Sequence, residues 1–120
     1  MREAIEMNWN YELMTRLLEW RLQEMIEEKR DKLQELVEGR ERGILLYRSG
    51  FLAIYGITLG KRTIREIATL GSLKKYLPYE TCISAVQRAA ERLECEDIKI
   101  ERKGDRLFFY FTAEGLRRFL

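Results

Sequence analysis

Five polar or basic side chains fall within one short segment in the second half of the chain: Tyr79, Thr81, Ser84, Gln87 and Arg88. Glutamine and arginine have the bidentate geometry that distinguishes adenine from guanine edges, and hydroxyls reach base edges or flanking phosphates. A second set, Arg102, Lys103 and Arg106, brackets Gly104-Asp105, where a tight turn carries charge to a tip. Lys61, Arg62, Lys74 and Lys75 sit where helix ends are expected, and such cations suit phosphate oxygens.

Bond-making chemistry fares poorly. The chain has no histidine, which removes imidazole acid–base work, Ser-His and Cys-His nucleophiles, and imidazole metal ligands. Cys82 and Cys95 are too few for a Cys₄ zinc site or a disulfide framework. On one helix they would stand roughly 20 Å apart and could not bridge. Gly56 to Lys61 places a lysine after a glycine but lacks the spacing of a phosphate-binding loop. The many carboxylates lie beside basic partners, the usual pattern of solvated ion pairs. The expectation is a protein that is not an enzyme and needs no cofactor or metal.

Net charge of +2 conceals an asymmetry. Residues 1–39 hold 6 Lys/Arg against 10 Asp/Glu, whereas residues 40–120 hold 16 against 10. The basic excess therefore accompanies the candidate contact residues. No uninterrupted apolar stretch opens the chain, and the apolar segment 44–59 is broken by Arg48, Ser49, Gly50 and Gly56. A cytoplasmic protein with reduced thiols and no membrane partner is expected. Scarce Asn and Gln, with Arg exceeding Lys, lean toward a thermophilic source.

The elements that must position these side chains fall into three parts. Asn8 to Glu38 reads as one amphipathic helix of about 46 Å. Its stripe is Tyr11, Met14, Leu18, Leu22, Met25 or Ile26, Leu33 and Leu36, interrupted by Lys29. Trp9, Leu13, Leu17 and Trp20 add a second apolar flank. Such a face is covered either by the rest of the chain or by a second copy. A homodimer through Met14, Leu18, Leu22, Met25, Ile26, Leu33 and Leu36 is expected, with residues 1–39 as dimerisation element and 40–120 as the second part.

Arg40 to Gly60 is apolar all round and reads as a buried helix, with Tyr47 and Tyr55 lining a pocket as the alternative. Thr63-Ile64-Arg65-Glu66 has the form of a capping box, and Gly71 is placed to close that short helix. From Glu80 an inner stripe of Cys82, Ile83, Val86, Ala89 or Ala90, and Leu93 leaves Ser84, Gln87, Arg88 and Glu91 outside. Gly104-Asp105 suits a type II′ hairpin pairing Lys103 with Arg106, Ile98 with Phe111 and Ile100 with Phe109. Phe108 and Tyr110 fall on the other face, and the long helix is expected to cover them.

The run TIREIA, LPYETCISAVQRAAERL and DIKIERKGDRLFFYFTAEGLRRF resembles the winged helix-turn-helix domain of small prokaryotic transcription regulators of the MarR, ArsR and PadR types. The resemblance covers roughly residues 42–120, with Gly43–Ile57 as first helix. The segment Gly71–Tyr76 is longer than a tight turn requires, and Glu80, Glu91, Glu94 and Glu96 dilute the basic character of the second helix. The fold it implies is mainly α with a C-terminal β-hairpin (α+β). The function it implies is double-stranded DNA binding by a dimeric transcriptional regulator. The competing expectation is a winged-helix module that docks a protein through Phe108, Tyr110 and the apolar flank of the long helix.

Overall fold

Asn10 opens the first helix because its side-chain carbonyl accepts the Leu13 backbone N–H at 3.0 Å, satisfying an otherwise orphaned amide. The computed structural model describes residues 9–38, 46–48, 51–53, 55–73 and 76–120. Helix α1 spans Tyr11–Glu27 and α2 spans Arg30–Val37. The single long helix read from the sequence is thus interrupted at Glu28-Lys29, where the Lys29 N–H turns back to the Ile26 carbonyl at 3.0 Å. The break falls where Lys29 interrupts the apolar stripe, and α2 swings onto the C-terminal segment. Arg30 there donates to the Leu120 carbonyl at 3.2 Å, and Gln23 to that of Phe119 at 2.7 Å.

Where the span Arg40 to Gly60 is described, strands stand in place of the expected helix. β1 (Leu46–Arg48) and β2 (Phe51–Ala53) pair antiparallel, and β3 (Tyr55–Leu59) joins the main sheet. An apolar run with no polar face satisfies a buried strand as well as a buried helix, and β-branched and aromatic residues favour the strand. Gly43, where the resemblance starts its first helix, lies outside the described residues.

Helices α3 (Lys61–Ser72) and α4 (Tyr79–Ala90) follow, then the hairpin β4 (Ile98–Lys103) and β5 (Arg106–Phe111), and the short α5 (Ala113–Arg117). The hairpin register is the one read from the sequence: Lys103 faces Arg106, Ile100 faces Phe109 and Ile98 faces Phe111. Gly104 has φ +64° while Asp105 does not turn positive, as a type II′ turn requires. β5 is central in the order β3-β5-β4, with Ile57 opposite Phe109 and Leu59 opposite Leu107. The result is a mixed α+β fold, mostly helical, with five α-helices among the described residues and a three-stranded antiparallel sheet.

One core joins the helices and the three-stranded sheet. Met14, Leu18, Leu22, Ile26 and Leu33 are buried together with Ile64, Ile83, Val86, Leu107, Phe109, Phe111 and Phe119. The stripe expected to meet a second copy is therefore filled from within the chain, α1 packing on α4 and α3, and α2 on α5. Met25 packs against the same core, and Leu36 belongs to α2, its side chain outside the described residues. Gly71 does not end α3, which closes at Leu73 in the left-handed region (φ 62°). It permits close approach instead: a Cβ there would overlap Met14 Cγ and Sδ. Its carbonyl accepts the Asn10 N–H at 3.0 Å.

The capping box is also displaced. α3 begins at Lys61 with Gly60 as N-cap and no side-chain cap, so Thr63 and Glu66 lie inside the helix. Tyr110 is buried outside the main core cluster, on the sheet face opposite Phe109 and Phe111, and its ring stacks on Phe108 at 6.4 Å. The long helix is not its principal cover, since α1 packs on α3 and α4.

Candidate nucleic-acid interface

α4 is buried along Cys82, Ile83, Ala85, Val86, Ala89 and Ala90, which seats it between α1, α3 and the core. Only a narrow strip stays open: Glu80, Ser84 and Arg88 are exposed, with Thr81 and Gln87 half-buried beside them. Ser84 and Arg88 are four residues apart and share one face. Trp9 and Tyr11 wall this strip on one side, forming an open groove with Glu80, Thr81, Ser84, Ala85 and Arg88. The Arg88 guanidinium lies 5.9 Å from the Tyr11 ring centre, so the aromatic holds it over the groove without neutralising it. Neither aromatic was expected here; their place before an amphipathic helix carried no signal beyond general apolarity.

The hairpin tip is tied to the first turn of α4. Arg102 donates to both carboxylate oxygens of Glu80 at 2.8 Å and to the Gly104 carbonyl at 2.9 Å. The Arg102 hydrogen bonds hold the Glu80 carboxyl below the usual range, and Glu80 in turn pushes the Arg102 guanidinium up. Arg102 is thus not a free cation at the tip: it is a brace between hairpin and helix. Tyr79 has the same character. Its hydroxyl donates to the Asp105 carbonyl, and its ring carries Lys61 Nζ at 5.0 Å and the Arg65 guanidinium at 5.4 Å. Burial, and next the Asp105 carboxylate, push the phenol above its ordinary value, so it remains a donor. Arg65 also donates to the Leu77 carbonyl at 3.0 Å, fixing the approach to α4.

Of the candidate cations beside α4 and the tip, Lys61, Arg88, Lys103 and Arg106 are exposed. Lys103 stands 3.6 Å from Glu101 and 5.2 Å from the Phe108 ring, a solvated contact that leaves it available. The structure therefore gathers Thr81, Ser84, Gln87, Arg88, Lys61, Lys103 and Arg106 along α4 and the adjoining tip. Arg62 falls elsewhere: it lines a groove between α1 and α3 and pairs with Glu66 at 3.7 Å. Lys74 and Lys75 lie outside the described residues.

Both thiols are free, Cys82 buried and Cys95 exposed. Burial pushes the Cys82 thiol up, away from nucleophilic character. Among the described residues no cluster of His, Cys, Asp or Glu could hold a metal ion, and no helix is long and apolar enough to cross a membrane. No family model, curated protein or solved structure matches the chain, so the reading of this surface rests on its own geometry.

Proposed function

We propose that the protein is a winged-helix DNA-binding module serving as a transcriptional regulator, with α4 as recognition helix and the β4–β5 hairpin as wing. The observation that carries the reading is the joint placement of α4's open strip and the basic hairpin tip on one surface. The Glu80–Arg102 brace holds the two at a fixed separation. The element order supports it too. From β3 onward a strand, two helices and a hairpin, with β3 pairing to the hairpin's second strand, follow in the order a winged helix uses, whereas α2 and the separate β1–β2 pair are additional to it.

In this reading Ser84, Thr81 and Gln87 face base edges in the major groove, and Arg88 reaches a guanine edge or a flanking phosphate. Lys61, Lys103 and Arg106 neutralise phosphates and set the register without reading sequence. Tyr79 and Arg102 act indirectly, by fixing the angle between helix and hairpin. Replacing Lys103 and Arg106 together by Glu should weaken binding to random duplex strongly, by removing two of four phosphate contacts, while leaving the fold intact, since both side chains are exposed. Undiminished duplex binding by that variant would overturn the assignment. Absent duplex binding by the folded wild type would leave the protein-docking module as the surviving alternative.

A further inference from the structure

The structure assigns the flank shared by α1 and α3 to pairing with a second copy of this chain, an inference that does not rest on the duplex reading. The Asn10–Gly71 hydrogen bond joins the start of α1 to the end of α3, so the helices run side by side in opposite directions. Leu13, Leu17 and Trp20 follow one another along α1 beside the buried Met14–Leu18–Leu22 stripe. Leu70 stands next to them on α3. Leu13 is 37% exposed, Trp20 63% and Leu70 52%. A mostly exposed tryptophan beside exposed Leu13 and Leu70 is a costly surface in water unless something covers it. Trp is also the residue most often found at the energetic centre of an interface.

Charge selects the occupant. The groove between the helices is lined by Leu17, Trp20, Ile67 and Leu70, and its charged edge is Arg21, Glu24, Arg62 and Glu66. Two arginines and two glutamates make a neutral edge with one residue of each sign on each helix. A surface meeting its own copy about a two-fold axis must be self-complementary, and a patch of net charge would repel itself. Here Arg21 and Glu24 of α1 can exchange their own partners, at 3.1 Å within α1 and 3.7 Å between Arg62 and Glu66 within α3, for the opposite signs on the partner's α3. The acidic members disfavour nucleic acid on the same face. A stable interface takes about 800 Å² from each copy, for which the apolar residues supply a centre and the four charges a rim. This groove shares no lining residue with the one along α4, so pairing leaves the Ser84–Arg88 strip open.

Sedimentation equilibrium without DNA tests the pairing. The wild type should reach twice 14.4 kDa at tens of micromolar, and Trp20→Glu should weaken association by roughly 30-fold or more with an unchanged thermal melt. Leu70→Glu, on the other helix, should do the same and keeps the test valid if the first variant misfolds. Exchanging charges in Glu24→Arg with Arg62→Glu should restore association that either change alone weakens. A wild type that stays at 14.4 kDa throughout, or a Trp20→Glu variant that still pairs, overturns the inference.

Discussion

Leu18 and Trp20 lie two residues apart on α1 and should respond in opposite ways to truncation. Leu18 is fully buried between α1 and the rest of the core, whereas Trp20 is mostly exposed. Leu18→Ala removes a packed isobutyl group and leaves a cavity the surrounding helices refill only in part, at a cost of about 3 kcal/mol within a range of about 2–5. That is a large share of the roughly 5–15 kcal/mol that holds a domain folded. At about 4 °C per kcal/mol for a chain of this size, melting should fall by roughly 12 °C. Trp20→Ala should alter folding stability by no more than about 1 kcal/mol and act on self-association instead. Urea denaturation at a fixed protein concentration, with sedimentation for mass, separates the two. If Leu18→Ala lowered the mass and left the urea midpoint unmoved, the Met14–Leu18–Leu22 stripe would be an intermolecular face and the packing described here would be mistaken.

Gly71→Ala should destabilise by about 1–3 kcal/mol, because the new methyl group collides with Met14, which is itself buried; a urea midpoint equal to or above wild type would show that Met14 gives way freely. The Glu80 carboxyl is held below the ordinary carboxylate range. Its contribution is therefore complete above that range, and is lost as pH falls through the depressed value. Amide protection at Lys103 and Arg106, taken as exchange relative to the intrinsic rate at each pH, should accordingly hold from neutral pH to the ordinary carboxylate range and fall below it, and Glu80→Gln should lower it at neutral pH. Equal exchange in Glu80→Gln and wild type would remove the brace from the account.

What the sequence disclosed was local. Alternating apolar residues on either side of Gly104-Asp105 fix a hairpin register, because a one-residue slip would turn Phe109 and Phe111 to the wrong face. The inner stripe of α4 was legible for the same reason, its period matching a helix. The strands between Leu46 and Leu59 were not, since a continuous apolar run has no period to read and β3 finds its partner some fifty residues later. Nor was the destination of the α1 stripe: an apolar face announces that it is covered, not by what. Of the candidate contacts, those on α4 and at the hairpin tip were singled out by type, and the structure leaves Ser84, Arg88, Lys103 and Arg106 exposed. Tyr79 and Arg102 were assigned to an outside partner because Asp105 and Glu80 lie 26 and 22 residues away from them, and only the fold brings those pairs together.

The most direct test of duplex binding is its salt dependence, followed by fluorescence anisotropy on a labelled duplex too short for more than one copy. With Lys61, Arg88, Lys103 and Arg106 each neutralising one phosphate, the log–log slope should be roughly −3.6, at about −0.9 per phosphate. Affinity would then fall about 150-fold between 50 and 200 mM salt, and only about 12-fold for Lys103→Glu with Arg106→Glu, whose slope should be roughly −1.8. A wild-type slope near zero, or the same slope in both proteins, would contradict an interface built from α4 and the hairpin tip.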